Sequence, residues 1–412
     1  MFSFILTGIG TLLLLIQNII IARFFGDNLF GLFSFVTNLF LILSILAKFG
    51  IENFSLKKIP IILSDNDQSK LKGFYYFSYL RTFLFSLLVC ILCFPFIIYS
   101  NYSNIQLSFL YITIWFIIRM IVELFSFQLQ ALNKTISSRL IFHIFPPFFF
   151  IILFFINSKI NYYTNSLTLL FKILLIGYVI SFLIISIKKR NSFIFYNIKP
   201  KYEIKKWMLS SYNFMLLSGL LLFMSKISPL ILSIYYSVEY VGYYTTVINI
   251  AFLTSFGLST TNKVLASKLS EDYLNNNMEN FQNNLTIGAR FGFLISIFLT
   301  IPMLLFRDDI LGLYGQNFII LSDVLVIFVF ANLINSFCGP VGLSLIMTGK
   351  ERIVIKTIAI SLLISILLSF LLLPRYEIIG LAYANCIGII LWNIILTIYA
   401  KKKYNYNTTV LG

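Results

Sequence analysis

The sequence predicts an all-α integral membrane protein, with about twelve transmembrane helices in two parallel six-helix halves around a central cavity. Three observations predict it. Of 412 residues, 59% are hydrophobic and only 11% charged, against about 25% charged in soluble domains. A water-soluble fold of that composition would expose large apolar patches. The apolar runs are also long and unalternating, as in "FSFILTGIGTLLLLIQNIIIA" (2–22) and "TIAISLLISILLSFLLL" (357–373). Spanning helices need roughly 20 such residues, whereas barrel strands need about 10 with strict alternation. Finally, basic residues collect in every second loop.

In chain order the first span, 3–22, is closed by the acidic, glycine-bearing turn "RFFGDNLFG", and the second, 32–50, ends on Phe49-Gly50 before Lys57 and Lys58. The third, 74–99, follows Lys70 and Lys72 and carries Arg81; the fourth, 106–127, carries Arg119 and Glu123. The fifth, 139–157, contains His143, Pro146 and Pro147, and the sixth, 166–187, carries Lys172. A basic linker, 188–206, separates the N-terminal half, 1–187, from the C-terminal half, 207–400. In the second half the spans fall at 208–234, 241–260, 286–306, 318–338, 355–373 and 379–400, before a tail, 401–412. Lys226 stands beside Pro229 in span 7, Arg290 near the start of span 9, and Asp323 near the start of span 10.

Even-numbered spans lead into Lys57, Lys58, Lys70 and Lys72, then Lys134 and Arg139, then Lys188 to Lys206, Lys263 and Lys268, Lys350, Arg352 and Lys356, and Lys401 to Lys403. The intervening loops hold only Arg23, Lys159, Arg307 and Arg375. Cytoplasmic loops of membrane proteins are enriched in Lys and Arg, which orients both termini to the cytoplasm. Most of the net charge of +16 is therefore topological, with attraction to anionic lipid as its physical consequence. It needs no nucleic acid, which would require a basic face on a soluble element.

Four cysteines and one histidine supply no metal-ligand constellation. Cys90 and Cys93 sit inside an apolar run and read as small packing residues. No Gly-rich phosphate loop is present either, so no cofactor is implied.

The halves repeat. "NLFGLFSFVTNLFLILSILAKFGIENFSLKKIP" (28–60) parallels "EYVGYYTTVINIAFLTSFGLSTTNKVLASKLS" (239–270): each has an outer turn at Gly31 or Gly242, a span starting on aromatics, a Phe-Gly pair and a basic amphipathic segment. Transporters with parallel halves bind substrate between them.

The stretches "IIIARFFGDNLFGLFSF", "FGIENFSLKKIP", "ISPLILSIYYSVEYVGYYTTVINIAFLTSFGLSTTNKVLASKLSE", "ILGLYGQNF" and "CGPVGLSLIMTGKERIVIK" resemble, in order and along the whole chain, the polysaccharide repeat-unit or O-antigen flippases. These belong to the superfamily of multidrug, oligosaccharidyl-lipid and polysaccharide exporters. The resemblance implies a flippase rather than an enzyme, with an undecaprenyl-pyrophosphate oligosaccharide moved from the inner to the outer leaflet of the bacterial cytoplasmic membrane. Polymerase and glycosyltransferases of the same pathway are candidate partners.

Charges inside spans are functional candidates because they are costly there. Arg119 and Lys226 lie nearest mid-span, one per half, and Arg81 is less deep; all three are candidates for the pyrophosphate. Arg offers a forked donor pair to phosphate oxygens and Lys a point charge. The two mid-span cations are expected to face one cavity. Glu123, one helical turn after Arg119, is either its neutralising partner or a coupling carboxylate. Arg290 and Lys172 lie within snorkelling reach of a span end, and with Asp323 they are weaker candidates for the cavity or for coupling. His143 reads as structural, and the amides Gln17, Asn18, Asn249, Asn332, Asn335 and Asn393 as helix–helix hydrogen bonds. A multidrug exporter of the same superfamily is the competing reading, although its cation cargo wants an acidic cavity. A polysaccharide polymerase would need a sizeable outer loop with carboxylates, whereas every outer loop here is short and the one at 157–166 has no acidic residue.

Overall fold

In the computed structural model the described residues are 2–98, 103–160, 166–188 and 198–412. Their regular structure is entirely helical. Among the described residues ten runs are long and apolar enough to cross a membrane. Two of them are far too long for one pass: helix α1 (Phe2–Lys48) has 47 residues and α15 (Glu351–Tyr404) has 54. At about 1.5 Å per residue each exceeds twice the roughly 30 Å hydrocarbon core. Each breaks once, α1 at Gly26 (φ 80°, ψ 169°) and α15 at Tyr376–Glu377, where Glu377 takes φ 53°. With two passes in each, the ten runs supply the twelve expected crossings. At Gly26 nothing crowds a Cβ; the backbone conformation itself calls for glycine.

The bends correct one sequence expectation. Gly31 and Gly242 are not in turns but buried inside helices. The breaks come earlier, at Gly26 and at Tyr236–Ser237, the latter just before α9 (Val238–Ala251). The repeated Phe-Gly pair also takes two different forms. Phe49 (φ 52°) and Gly50 (φ 78°) separate α1 from α2 (Ile51–Ser64). A Cβ on Gly50 would meet the Ser211 carbonyl and the Met215 nitrogen of α8 (Ile204–Tyr235). Gly257 instead lies within α10 (Phe256–Leu274), pressed against the Gly292 carbonyl of α11 (Met278–Leu305).

The chain divides into two compact units, Met1–Gly219 and Leu220–Gly412, with the boundary inside α8. In the first, α4 (Ser103–Ala131) packs on α2, on α3 (Gln68–Ile98) and on α7 (Leu167–Lys188). A π-helical segment, Leu140–Ile144, precedes α6 (Phe145–Ile160). Pro146 and Pro147 follow one residue after it, and proline rings clash with the carbonyls four residues back, which favours a widened turn there.

Residues 189–197 of the expected linker lie outside the described residues. Residues 198–207 are fastened to the start of α3. The Lys201 amide donates to the Ser69 carbonyl (3.0 Å), Lys72 Nζ to the Ile198 carbonyl (2.8 Å), and Lys70 pairs with Glu203 (3.1 Å). Trp207 is buried against Phe74 and Phe77, each with ring centroids at 5.3 Å.

In the second unit α13 (Ser322–Cys338) packs on α9, α11 and α15. Buried amides knit it. Ser255 donates to Asn332 (2.7 Å) and Asn385 to Ser228 (2.8 Å). Asn393 instead bonds its own helix, at the Ile389 carbonyl (2.9 Å). The tail folds back. Gln282 exchanges two hydrogen bonds with the Asn407 backbone, and Thr408 donates to the Cys338 carbonyl (3.0 Å). Lys350 sits over the rings of Tyr273 and Tyr404. Within each unit, then, loops of like parity meet at one end, as the loop charges require.

Candidate functional site

Among the described residues, the densest group of buried charges lies in the first unit, where the end of α1, the start of α2 and the second half of α4 converge. Lys48, on the last turn of α1, is its hub. Its ammonium lies 2.8 Å from Glu123 on α4 and 3.6 Å from Glu52 on α2. The side chains of Lys48, Glu123 and Glu52 are 12%, 14% and 6% exposed, so the three charges are largely withdrawn from the surroundings and face each other. Buried charges are tolerated when paired in this way.

Two arginines flank this group. Arg81 on α3 donates through Nη1 to the Lys48 carbonyl (2.9 Å), at the negative end of a helix. Its guanidinium is held between Phe49 and Phe85, 4.5 and 4.4 Å from the ring centres. Nε and Nη2 of Arg81 have no hydrogen-bond partner. Arg119 lies over Trp115, one turn earlier on the same helix (5.2 Å), and its Nε is also without a partner. Among the described residues, Arg119 has no carboxylate within 4 Å; Glu123 is turned to Lys48 instead. Three cations against two carboxylates leave this group one positive charge, and among the described residues neither arginine has a carboxylate within 4 Å.

The remaining sequence candidates lie apart from this group. In the second unit, Lys226 is half-buried and donates to the Asn249 side chain (3.3 Å), beside Pro229 within α8. Arg290 is exposed and engaged by the tail, donating through Nε to the Val410 carbonyl (3.1 Å). Asp323 pairs with Arg307 (2.9 Å) with its own side chain 72% exposed. Lys172 is exposed on α7. His143 lies 3.4 Å from Arg139, one turn along the same segment.

Sequence reasoning missed Lys48 and Glu52. The spacing Lys48–Glu52 was a signal of the kind that pairs residues on one helix face, but Lys48 stood where a cytoplasmic-end lysine is expected. Its partner Glu123 is 75 positions away. Among the described residues no three His, Cys, Asp or Glu side chains are grouped to hold a metal.

A family profile described as polysaccharide biosynthesis protein matches residues 1–271. No curated protein matches the chain in sequence. Among solved structures, the lipid II flippase MurJ in an inward closed conformation superposes with a TM-score of 0.68 at 16% identity, covering 97% of this chain and 87% of that one. An inward-facing multidrug resistance MATE family transporter of the MOP superfamily gives 0.69 at 15% identity, covering 95% and 92%. A mutant of the Vibrio cholerae MATE transporter VcmN gives 0.69 at 12% identity, covering 98% and 97%. At these identities the likeness is one of fold.

Proposed function

The chain belongs to the polysaccharide biosynthesis protein family and has the fold of MOP-superfamily transporters rather than of an enzyme, and we propose that it flips a lipid-linked oligosaccharide. The cargo in this reading is an undecaprenyl-pyrophosphate oligosaccharide. It passes by alternating access from the inner to the outer leaflet of the bacterial cytoplasmic membrane, for assembly into surface polysaccharide. Both termini are cytoplasmic, as the loop charges argue.

The observation that carries the reading is the charge of the buried group in the first unit. A pyrophosphate entering a low-dielectric region must be compensated, because a buried unpaired charge is very costly. Arg119 is a half-buried cation whose nearest acid is already neutralised by Lys48. It can therefore offer its fork to phosphate oxygens without first breaking an ion pair. Lys226 is a candidate of the same kind within the second unit. Arg81 has spare donors but is committed to the end of α1 and to two aromatic faces, so it serves to hold that corner.

The fold is shared with multidrug exporters, whose organic-cation cargo would need an unpaired acid. Glu52 and Glu123 both face Lys48, which favours the anionic cargo. The test is restoration of surface polysaccharide in a strain lacking its own flippase. Restored polymer at normal membrane abundance supports the reading. Absent polymer together with raised resistance to cationic dyes would replace it with drug export.

A further inference from the structure

We propose that the second unit carries a saccharide-binding cleft at the end that the loop charges put outside the membrane; the inference rests on the lipid-linked glycan reading above. Two of the stretches singled out in the sequence, "YYSVEYVGYYTTV" and "ILGLYGQNF", converge here although more than sixty positions separate them. They enclose a cleft of about 420 Å³, within the ~300–1,000 Å³ range of small-molecule sites.

One wall is aromatic. Tyr240 and Tyr243 line the cleft. They belong to a continuous run of rings: Tyr236 to Tyr240 at 5.5 Å, Tyr240 to Tyr243 at 5.7 Å, Tyr243 to Phe318 at 4.6 Å and Phe318 to Tyr314 at 5.6 Å. Phe318 is fully buried and Tyr243 is 6% exposed, so the wall is anchored from beneath. A ring face held in place beforehand loses little freedom when a ligand lands on it. The rim is polar: Ser237, Glu239, Gln316 and Asn317.

This combination selects a class of ligand. A pyranose has a face of C–H bonds, which gains dispersion against an aromatic ring, and an edge of hydroxyls that both donate and accept. Gln316 and Asn317 can answer both halves of a hydroxyl, Ser237 likewise, and Glu239 accepts only. A phosphate is disfavoured, because the one ionisable carboxylate on the rim would repel it. A purely apolar ligand is disfavoured by the exposed Gln316 and Asn317. Neutral and amino sugars fit. The sequence repeat sharpens the assignment: aligning Gly31 with Gly242 puts Leu29 and Leu32 where Tyr240 and Tyr243 stand. The equivalent bend of the first unit therefore has neither ring.

The ligand could be the glycan of the lipid-linked cargo or a free sugar. The probes are the methyl glycosides of glucose, galactose, N-acetylglucosamine and N-acetylgalactosamine. They are added to the purified full-length protein in lipid nanodiscs and followed by saturation-transfer difference NMR. Saturation should reach the ring C–H protons of at least one glycoside, at affinities around millimolar. Tyr240→Ala should weaken binding about fivefold, while Tyr240→Phe, which keeps the ring, should retain it. Gln316→Ala, an exposed position that leaves packing alone, should also weaken it about fivefold. Undecaprenyl-pyrophosphate oligosaccharide that displaces the glycoside more effectively than the free oligosaccharide identifies the lipid-linked source; equal displacement identifies the free sugar.

Absence of saturation on all four glycosides would overturn the proposal, as would binding unchanged in both Tyr240→Ala and Gln316→Ala. The flippase reading is scored separately by restored polymer. Restored polymer without glycoside binding removes the cleft alone, and binding without restored polymer removes the flippase reading alone.

Discussion

Replacing Lys48 by methionine is the sharpest test of the buried ionic group. The change keeps a long flexible stem and removes only the charge. With Lys48 Nζ at 2.8 Å from Glu123 and 3.6 Å from Glu52, the gross attractions at an effective dielectric of 20 are about 6 and about 5 kcal/mol. Desolvation of three nearly buried side chains cancels much of that sum. Removing one partner of such a group still costs about 3–5 kcal/mol, because the remaining charges are left uncompensated. Lys48→Met should therefore lower the thermal unfolding temperature of the purified protein by many degrees and reduce its abundance in the membrane. Adding Glu52→Gln and Glu123→Gln removes the stranded carboxylates and should recover most of the loss. The assay is fluorescence-detected size exclusion after a heat ramp at pH 7. A Lys48→Met protein that unfolds at the parent temperature, or a triple variant no more stable than the single one, would refute the reasoning.

Arg119→Ala should leave stability nearly unchanged, since Glu123 keeps Lys48, but should lose a charge-assisted contact to cargo worth roughly 1.5–3 kcal/mol; restored polymer in the flippase-deficient strain should fall sharply, and Arg119→Lys should recover only part. Lys226→Gln should impair polymer export at normal abundance while Lys226→Arg is tolerated, read in the same strain. Single cysteines at Gln68 and Asn277 should be labelled only from the cytoplasmic side of the membrane, and those at Ser103 and Asn317 only from outside; the reverse pattern inverts the topology. The hydrogen bond from Lys70 holds the Glu203 carboxyl below its ordinary pKa, and Glu203 in turn raises that of Lys70. A depressed carboxyl contributes above its unfolded pKa and loses that contribution as pH falls through its folded value. Hydrogen-exchange protection of residues 198–207, taken relative to the intrinsic rate at each pH, should accordingly fall in acid below about pH 4 and stay flat from pH 5 to 9.

The sequence alone determined the class of this protein, its roughly twelve crossings and the alternation of charge in its loops. These are local properties: run length sets whether a segment spans, and loop charge sets which way it enters, with no knowledge of neighbours needed. It also singled out Arg119 and Lys226 as candidates, because a charge in a hydrocarbon-length run is conspicuous by itself. Only the tertiary structure decided that Glu123 answers Lys48 and not the arginine one turn away, that the tail engages Arg290, and that the two Phe-Gly pairs serve a helix break in one unit and a close helix contact in the other. The aromatic cleft at Tyr240 and Tyr243 likewise required two distant stretches to meet. The physical reason is common to all four. A helix that is apolar on every side carries little periodic signal of which face meets which neighbour. Partners are then chosen by the packing of the bundle, and that choice is invisible until the bundle is built.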